Sequence, residues 1–336
     1  MKIALDGFGG DNAPIEILKG AALARKEYKI DIVVTGKTEK MKKIAADNGI
    51  SLEGIELAEA SEVMTAEDEA KTVLKQKSDS SMAVALKMVA EGLTDAVVTA
   101  GPTGAFLMGA TMIVKRIKGV KRPALGAVMP GLNNPFILID CGANAEVRPE
   151  MLEQFGMMGS VYMKNILGVE NPRAAIANNG AEEGKGTDLQ RNAYNLMRDN
   201  KAINFIGNIE GREIPEGNCE VVVTDGFTGN IILKTIEGMA ASMFTMLKDV
   251  MLGNMWTKTA AMMLKPGLKQ LKSKTDYTEY GGAPLIGLRK PVVKAHGSSD
   301  ANAIKNAVRQ AVQWSESGII AEIEAILAEI PASDEE

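Results

Sequence analysis

Nine short apolar runs, each three to six residues long and most closed by a polar turn, limit what this chain can fold into. They are Ile3–Leu5, Ile32–Val34, Ala96–Thr99, Ala124–Met129, Phe136–Ile139, Ala174–Ala177, Asn204–Ile206, Val221–Val223 and Val292–Ala295. Their near-continuous hydrophobicity is what strands buried on both faces of a parallel sheet require. The runs between 3 and 99 and between 174 and 223 alternate with helix-length stretches, as βαβ units do. Around 124–139 only Pro130-Gly-Leu-Asn-Asn-Pro135 separates two runs, which predicts a hairpin within an otherwise wound fold. The expected fold class is therefore α/β, a three-layer α/β/α arrangement around a largely parallel sheet.

Composition narrows the function. A chain of 336 residues has room for one α/β unit or two halves around a cleft, expected over 1–330, with a frayed tail at 331–336. A net charge of −5 argues against nucleic acid as partner, which demands a dominant basic surface. Cys141 and Cys219 are too few for a disulfide framework, and one histidine with scattered carboxylates has no metal-ligand spacing. No metal or cofactor is expected. The N-terminus reaches a polar turn within six residues, and no stretch has 18 uncharged apolar residues. The expectation is a cytoplasmic protein that does not span a membrane.

The turns after the strands carry the chemistry, because ligands in open α/β sheets bind beyond the strands' carboxyl ends. Six of them mix glycine with Asp, Asn, Ser or Thr: 6–12, 99–104, 140–144, 178–186, 225–230 and 296–299. None matches the dinucleotide GxGxxG well, and no GxxxxGK[ST] occurs, so the set points to a phosphate or other oxyanion without a bound nucleotide. The only histidine, His296, stands at the lip of the last turn, between a β-branched strand and a helix expected to be capped by Asp300. A strand–turn–helix of this kind aims backbone N–H groups and a helix dipole at one spot.

In this order the turns resemble the acyl-carrier-protein:phosphate acyltransferases of bacterial phospholipid synthesis, the PlsX family. The matching stretches include DGFGGDNAP at 6–14, KSDSSMAVALKMV at 77–89, TAGPTGA at 99–105 and DCGANAEVRPEMLEQFGMMGSVY at 140–162. EEGKG at 182–186, NFIGNIEGR at 204–212, VVVTDGFTGNIILKTIEG at 221–238, YGGAPLIGL at 280–288 and KAHGSSDANAIKNA at 294–307 complete a likeness spanning nearly the whole chain. Pro102 stands where Asn is common in the family, so no side-chain role carries over to that position, and Cys141 is not taken as a nucleophile. The resemblance implies a sheet of the phosphate acetyltransferase and isopropylmalate dehydrogenase type, and a homodimer. It implies conversion of acyl-carrier-protein thioester and inorganic phosphate to acyl phosphate. The nearest alternative is a phosphate acetyl- or butyryltransferase acting on acyl-CoA; a more distant one is a non-catalytic membrane scaffold.

Phosphate is already a nucleophile, so such an enzyme must hold a dianion beside the thioester and stabilise the oxyanion that forms. Gly297, Ser298 and Ser299 are expected to hold phosphate, with Lys185 supplying positive charge from between two glycines. Asn144, Asn179 and Asn230 are neutral donors suited to the oxyanion, or plain turn residues. Asp11 and Asp225 either orient Lys185 and His296 or cap helices. His296 either protonates the departing thiolate or hydrogen-bonds phosphate.

Two further stretches concern partners. Seven of the 20 methionines fall between Met239 and Met263, and six lysines face Asp249 alone from 248 to 274. Helical spacing there reaches Leu264, is interrupted near Gly253-Asn254 and is expected to end before Pro266. It reads as a helical arm over 239–274 whose Met251, Met255, Trp256 and Met262 dip into an anionic membrane surface, or as a core or dimer-interface helix. The basic run Lys115–Arg122, with Arg116 and Lys118, reads as a dock for acidic acyl carrier protein or as a solvated helix end.

Overall fold

A computed structural model describes residues 1–275 and 280–329; the tail expected at 331–336 lies outside the described residues. The strands are β1 (Lys2–Asp6), β2 (Asp31–Gly36), β3 (Ile55–Glu59), β4 (Ala96–Thr99), β5 (Ala124–Met129), β6 (Phe136–Ile139), β7 (Arg173–Asn178), β8 (Asn204–Glu210), β9 (Val221–Val223), β10 (Ala283–Ile286) and β11 (Val292–Lys294). The helices are α1 (Ile15–Tyr28), α2 (Thr38–Asp47), α3 (Ser81–Ala90), α4 (Thr103–Gly109), α5 (Pro149–Leu167), α6 (Asp188–Asp199), α7 (Gly226–Leu252), α8 (Met255–Thr275), α9 (Ala301–Glu316) and α10 (Ile319–Glu329).

All nine apolar runs are strands, joined in one sheet of order β3-β2-β1-β4-β11-β10-β5-β6-β9-β7-β8. Neighbours are parallel except at β11–β10, β10–β5 and β5–β6, the last being the expected hairpin. The strands from β3 to β11 therefore run one way and those from β6 to β8 the other, with β10 and β5 at the changeover. Successive residues of a strand point to opposite faces. Accordingly Ile137 and Ile139 join one buried cluster, with Leu18, Phe155 and Ile304 from α1, α5 and α9. Phe136 and Leu138 join the other, with Leu86 and Phe106 from α3 and α4. Both faces are covered, which gives the three layers.

Two strands escaped the reading of apolar runs. β3 lies at the sheet's edge and alternates buried Ile55 with exposed Glu56. β10 contains Pro284, a residue that argues against a central strand because it has no N–H to donate. One helix end also differs: α8 continues through Pro266 to Thr275. A proline removes one hydrogen bond from a helix and crowds the preceding turn, which bends some helices without ending them.

Candidate active site

A cleft of about 530 Å³ opens at the changeover of strand direction. Into it run the segments that follow β4 (Thr103), β6 (Cys141 and Gly142), β9 (Gly226 to Glu237) and β11 (Ala295 to Ser299). The sheet itself parts here. β10 pairs with β5 only through Leu285↔Leu125 and Ile286↔Ala124. The next residue of β10 is Pro284, which has no hydrogen to offer β5, and Ala283 and Ala127 both line the cleft instead of pairing across it.

One rim is built on Asp140. Its buried carboxylate accepts from Leu125 N (3.0 Å), Ala143 N (3.0 Å) and Asn144 N (2.7 Å), and from Asn144 Nδ2 (2.8 Å). The first turn of α7 rests directly on this loop. A Cβ on Gly229 would lie 1.9 Å from Asp140 O, and one on Gly226 2.8 Å from Asn144 N, so only glycine allows the approach. Asp225 caps α7 by accepting from Thr228 N (2.8 Å). The helix then presents Phe227, Asn230, Leu233, Lys234 and Glu237 to the cleft.

The opposite rim is the turn after β11. Ser298 N donates to His296 Nδ1 (3.2 Å), and Ser298 Oγ lies 2.8 Å from the same atom. Nδ1 thus accepts, so the neutral ring carries its hydrogen on Nε2. Burial, and next the nearby Lys234, push the His296 pKa below its ordinary value, which favours that neutral form. The turn is buttressed from the loop after β1: Asp11 N donates to Gly297 O (2.8 Å), and Asn12 Nδ2 to Ser298 O (3.0 Å).

Backbone N–H groups supply less positive potential here than a bare helix start would. Asp300 accepts from Ala303 N (2.9 Å), Glu16 accepts from Ala301 N (2.9 Å), and Ser299 N is bonded to His296 O (3.1 Å). Carboxylates already answer the α9 dipole, so charge for an anion has to come from side chains. Two lysines line the cleft. Lys294 closes β11, is half-buried, and donates from Nζ to Ala295 O (2.5 Å). Burial pulls its pKa down to about 8, and the buried Asp6 carboxylate opposes that shift. Asp6 is itself pushed up by burial, and accepts from Thr99 Oγ1 (2.7 Å). Lys234, half-exposed, is paired with Glu237 at 2.7 Å.

Of the residues singled out in the sequence, His296, Gly297, Ser299 and Asn230 line the cleft, and Ser298 holds the His296 ring. Asn144 and Asp225 stand behind the rim in the structural bonds just given. The Asp11 carboxylate lies beside Gly297, where a Cβ would be 3.5 Å from its Oδ2. Lys185 and Asn179 are not brought to the cleft. They sit in the turn after β7, where Lys185 is half-exposed, 4.0 Å from Glu182, and Asn179 N donates to Asn178 Oδ1 (2.8 Å). Lys294, Lys234 and Asp6 were not singled out. The available signal was a lysine ending a β-branched strand one residue before the turn that holds His296.

The partner segments lie elsewhere. Met255, Trp256 and Met262 are exposed, Trp256 at 88 %, and Met251 is half-buried; Lys248, Lys258 and Lys265 are exposed on the same two helices. Arg116 donates to the carbonyls of Val120 and Lys121, while Lys118 is exposed. Ile117 N bonds Gly287 O (3.0 Å), so this basic run lies past the end of β10 that points away from the cleft. No helix among the described residues is long and apolar enough to cross a membrane.

Comparison with known proteins bears on these features. A family model described as "Fatty acid synthesis protein" matches residues 1–322. A phosphate acyltransferase of Alkaliphilus oremlandii is 47% identical over 323 residues, 96% of either chain. One of Clostridioides difficile is 43% identical over 329 residues, 98% of this chain and 96% of its own. Among solved structures, a phosphotransacetylase from Streptococcus pyogenes superposes with a TM-score of 0.64 at 17% identity, covering 94% of both chains. A branched-chain phosphotransacylase from Enterococcus faecalis gives 0.55 at 14%, covering 94% of this chain and 99% of its own. At such identities the structures speak for the fold.

Proposed function

The chain belongs to the fatty acid synthesis protein family and is an acyltransferase; from that premise we propose that it moves a long-chain acyl group from acyl carrier protein to inorganic phosphate. The observation that carries this reading is the placing of two lysines, Lys294 and Lys234, with a neutral histidine in a cleft otherwise lined mainly by apolar residues and glycine. Phosphate sits between the lysines. One of its oxygens attacks the thioester carbonyl carbon, and the oxyanion accepts from neutral donors, His296 Nε2–H and the Asn230 amide. The C–S bond breaks, acyl phosphate leaves, and the thiolate takes up a proton. Such preorganised donors contribute on the order of a hundredfold or more each in enzymes of this kind. No resident cofactor enters these steps.

The same reading assigns the exposed methionines and lysines of α7 and α8 to a peripheral contact with an anionic membrane, and Lys118 with Arg116 to carrier-protein docking. It gives the protein a second copy of itself as partner. Flotation with anionic liposomes at low salt, a KM for carrier-bound substrate raised by Lys118→Glu, and a dimeric mass in light scattering are the expected results.

The decisive experiment incubates the protein with palmitoyl-carrier protein and phosphate and traps acyl phosphate with hydroxylamine. Palmitoyl-CoA and acetyl-CoA run beside it. Phosphate-dependent hydroxamate from the carrier-bound donor upholds the proposal. Product from acetyl-CoA alone moves the protein to the short-chain transferases, and no product from any thioester overturns it.

A further inference from the structure

The parted sheet has a direction as well as a position. Along β10, Ala283 pairs with Lys294 at the charged end of the cleft, and Leu285, two residues on, pairs with Leu125. At about 3.3 Å per residue the slot between the strands therefore starts beside the lysine and closes roughly 7 Å away. Ala127 and Val128 face opposite sides of the sheet, yet both line the cleft, so the cleft runs along the unpaired edge of β5. Its far end is formed by buried residues. Leu285 is fully buried, Leu125 and Cys141 nearly so, and Cys141 N is bonded to Leu125 O at 2.9 Å.

A thioester donor has two arms. The one leading to the carrier must emerge into solvent, and the acyl tail need not. An apolar slot with a buried end that begins beside the charged groups fits the second. We propose that the gap between β5 and β10 receives the first methylenes of the acyl tail, next to the thioester, and that Leu125 and Cys141, at its buried end, set acyl-chain preference. This inference rests on the acyl-transfer reading above. Cys141 suits the role: burial raises its thiol pKa far above the ordinary value, so it stays protonated and packs as a small apolar group. No step of the transfer uses it.

The floor can be raised or lowered. Cys141→Leu fills the end of the slot, and Leu125→Ala deepens it. The readout is the ratio of kcat/KM for octanoyl- over butanoyl-carrier protein, which cancels any general loss of folded enzyme, because only the longer chain spans a slot roughly 7 Å deep. One to two methylene-sized contacts at roughly 0.8 kcal/mol each correspond to a ratio shift of about four- to fifteenfold. The ratio should fall for Cys141→Leu and rise for Leu125→Ala. Equal ratios in both variants and the wild type overturn the proposal. A second measurement needs no turnover: the Kd of octanoyl-carrier protein, without phosphate present, for the wild type and for Cys141→Leu. The variant should bind the octanoyl carrier more weakly and the unacylated carrier equally well. An equal loss for both means that the carrier's own arm fills the slot, and no loss leaves it empty; either result ends the inference. Should the wild type make no acyl phosphate from any donor, the transfer reading fails by itself, and the Kd comparison still reports whether the slot takes an acyl chain.

Discussion

The turn after β7 and the turn after β11 are hard to tell apart in sequence: each mixes glycine with polar residues, and each has a candidate side chain, Lys185 or His296. In the folded chain they differ in every respect that matters to chemistry. The β7 turn lies one strand from the sheet's edge and is tied to its own neighbourhood: Asn178 Nδ2 to Lys185 O (3.2 Å), Arg191 to Gly186 O (2.6 Å), Asn208 to Glu182 O (2.8 Å). The β11 turn sits beside the changeover of strand direction, is braced by Asp11 and Asn12 from the far N-terminus, and faces α7 across a cleft. Turn composition marks the end of a strand. Strand order decides whether that end meets another.

The comparison breaks if the edge turn proves as important as the central one. Lys294→Met or His296→Ala should lower kcat/KM for phosphate by about a hundredfold or more in the hydroxamate assay. Lys185→Ala should stay within about threefold, as exposed loop lysines do. Comparable losses would erase the distinction. The next largest effect is in pH. A Lys294 that titrates near pH 8 is charged below that value and neutral above it. Log kcat/KM for phosphate should therefore bend downward above pH 8, falling by about tenfold per unit, and Lys294→Arg should move the bend to higher pH. Asn12→Ala removes the brace on the β11 turn; at about 1 kcal/mol for a hydrogen bond it should cost roughly fivefold in turnover. Arg191→Ala removes the corresponding tie on the β7 turn and should alter turnover by less than about twofold.

The same contrast explains what could be read beforehand. Runs such as Ala124–Met129 and Val221–Val223 announce themselves because a strand covered on both faces has no polar side to interrupt it. β3 hides at an edge, where Glu56 and Glu59 face water, and β10 hides behind Pro284. His296 and Asn230 were legible as polar residues after strands. Lys294 was not, because a lysine at a strand end ordinarily marks emergence into solvent, and here it lines the cleft instead. Lys185 carries the mirror signal: two flanking glycines permit close approach to a ligand, but nothing local says whether a ligand is near. Pairings such as Gly226 on Asn144, or Glu16 on the start of α9, join residues too far apart along the chain for any local pattern to show.

Pro284 has a consequence for how such a protein changes over generations. A hollow shaped by bulky side chains is lost or remade by a single large substitution. A hollow that exists because a backbone nitrogen carries no hydrogen is written into the covalent chain, and the residues around it are free to drift. Relatives that accept different donors should therefore vary at Ala127, Leu125 and Cys141 and keep proline at position 284.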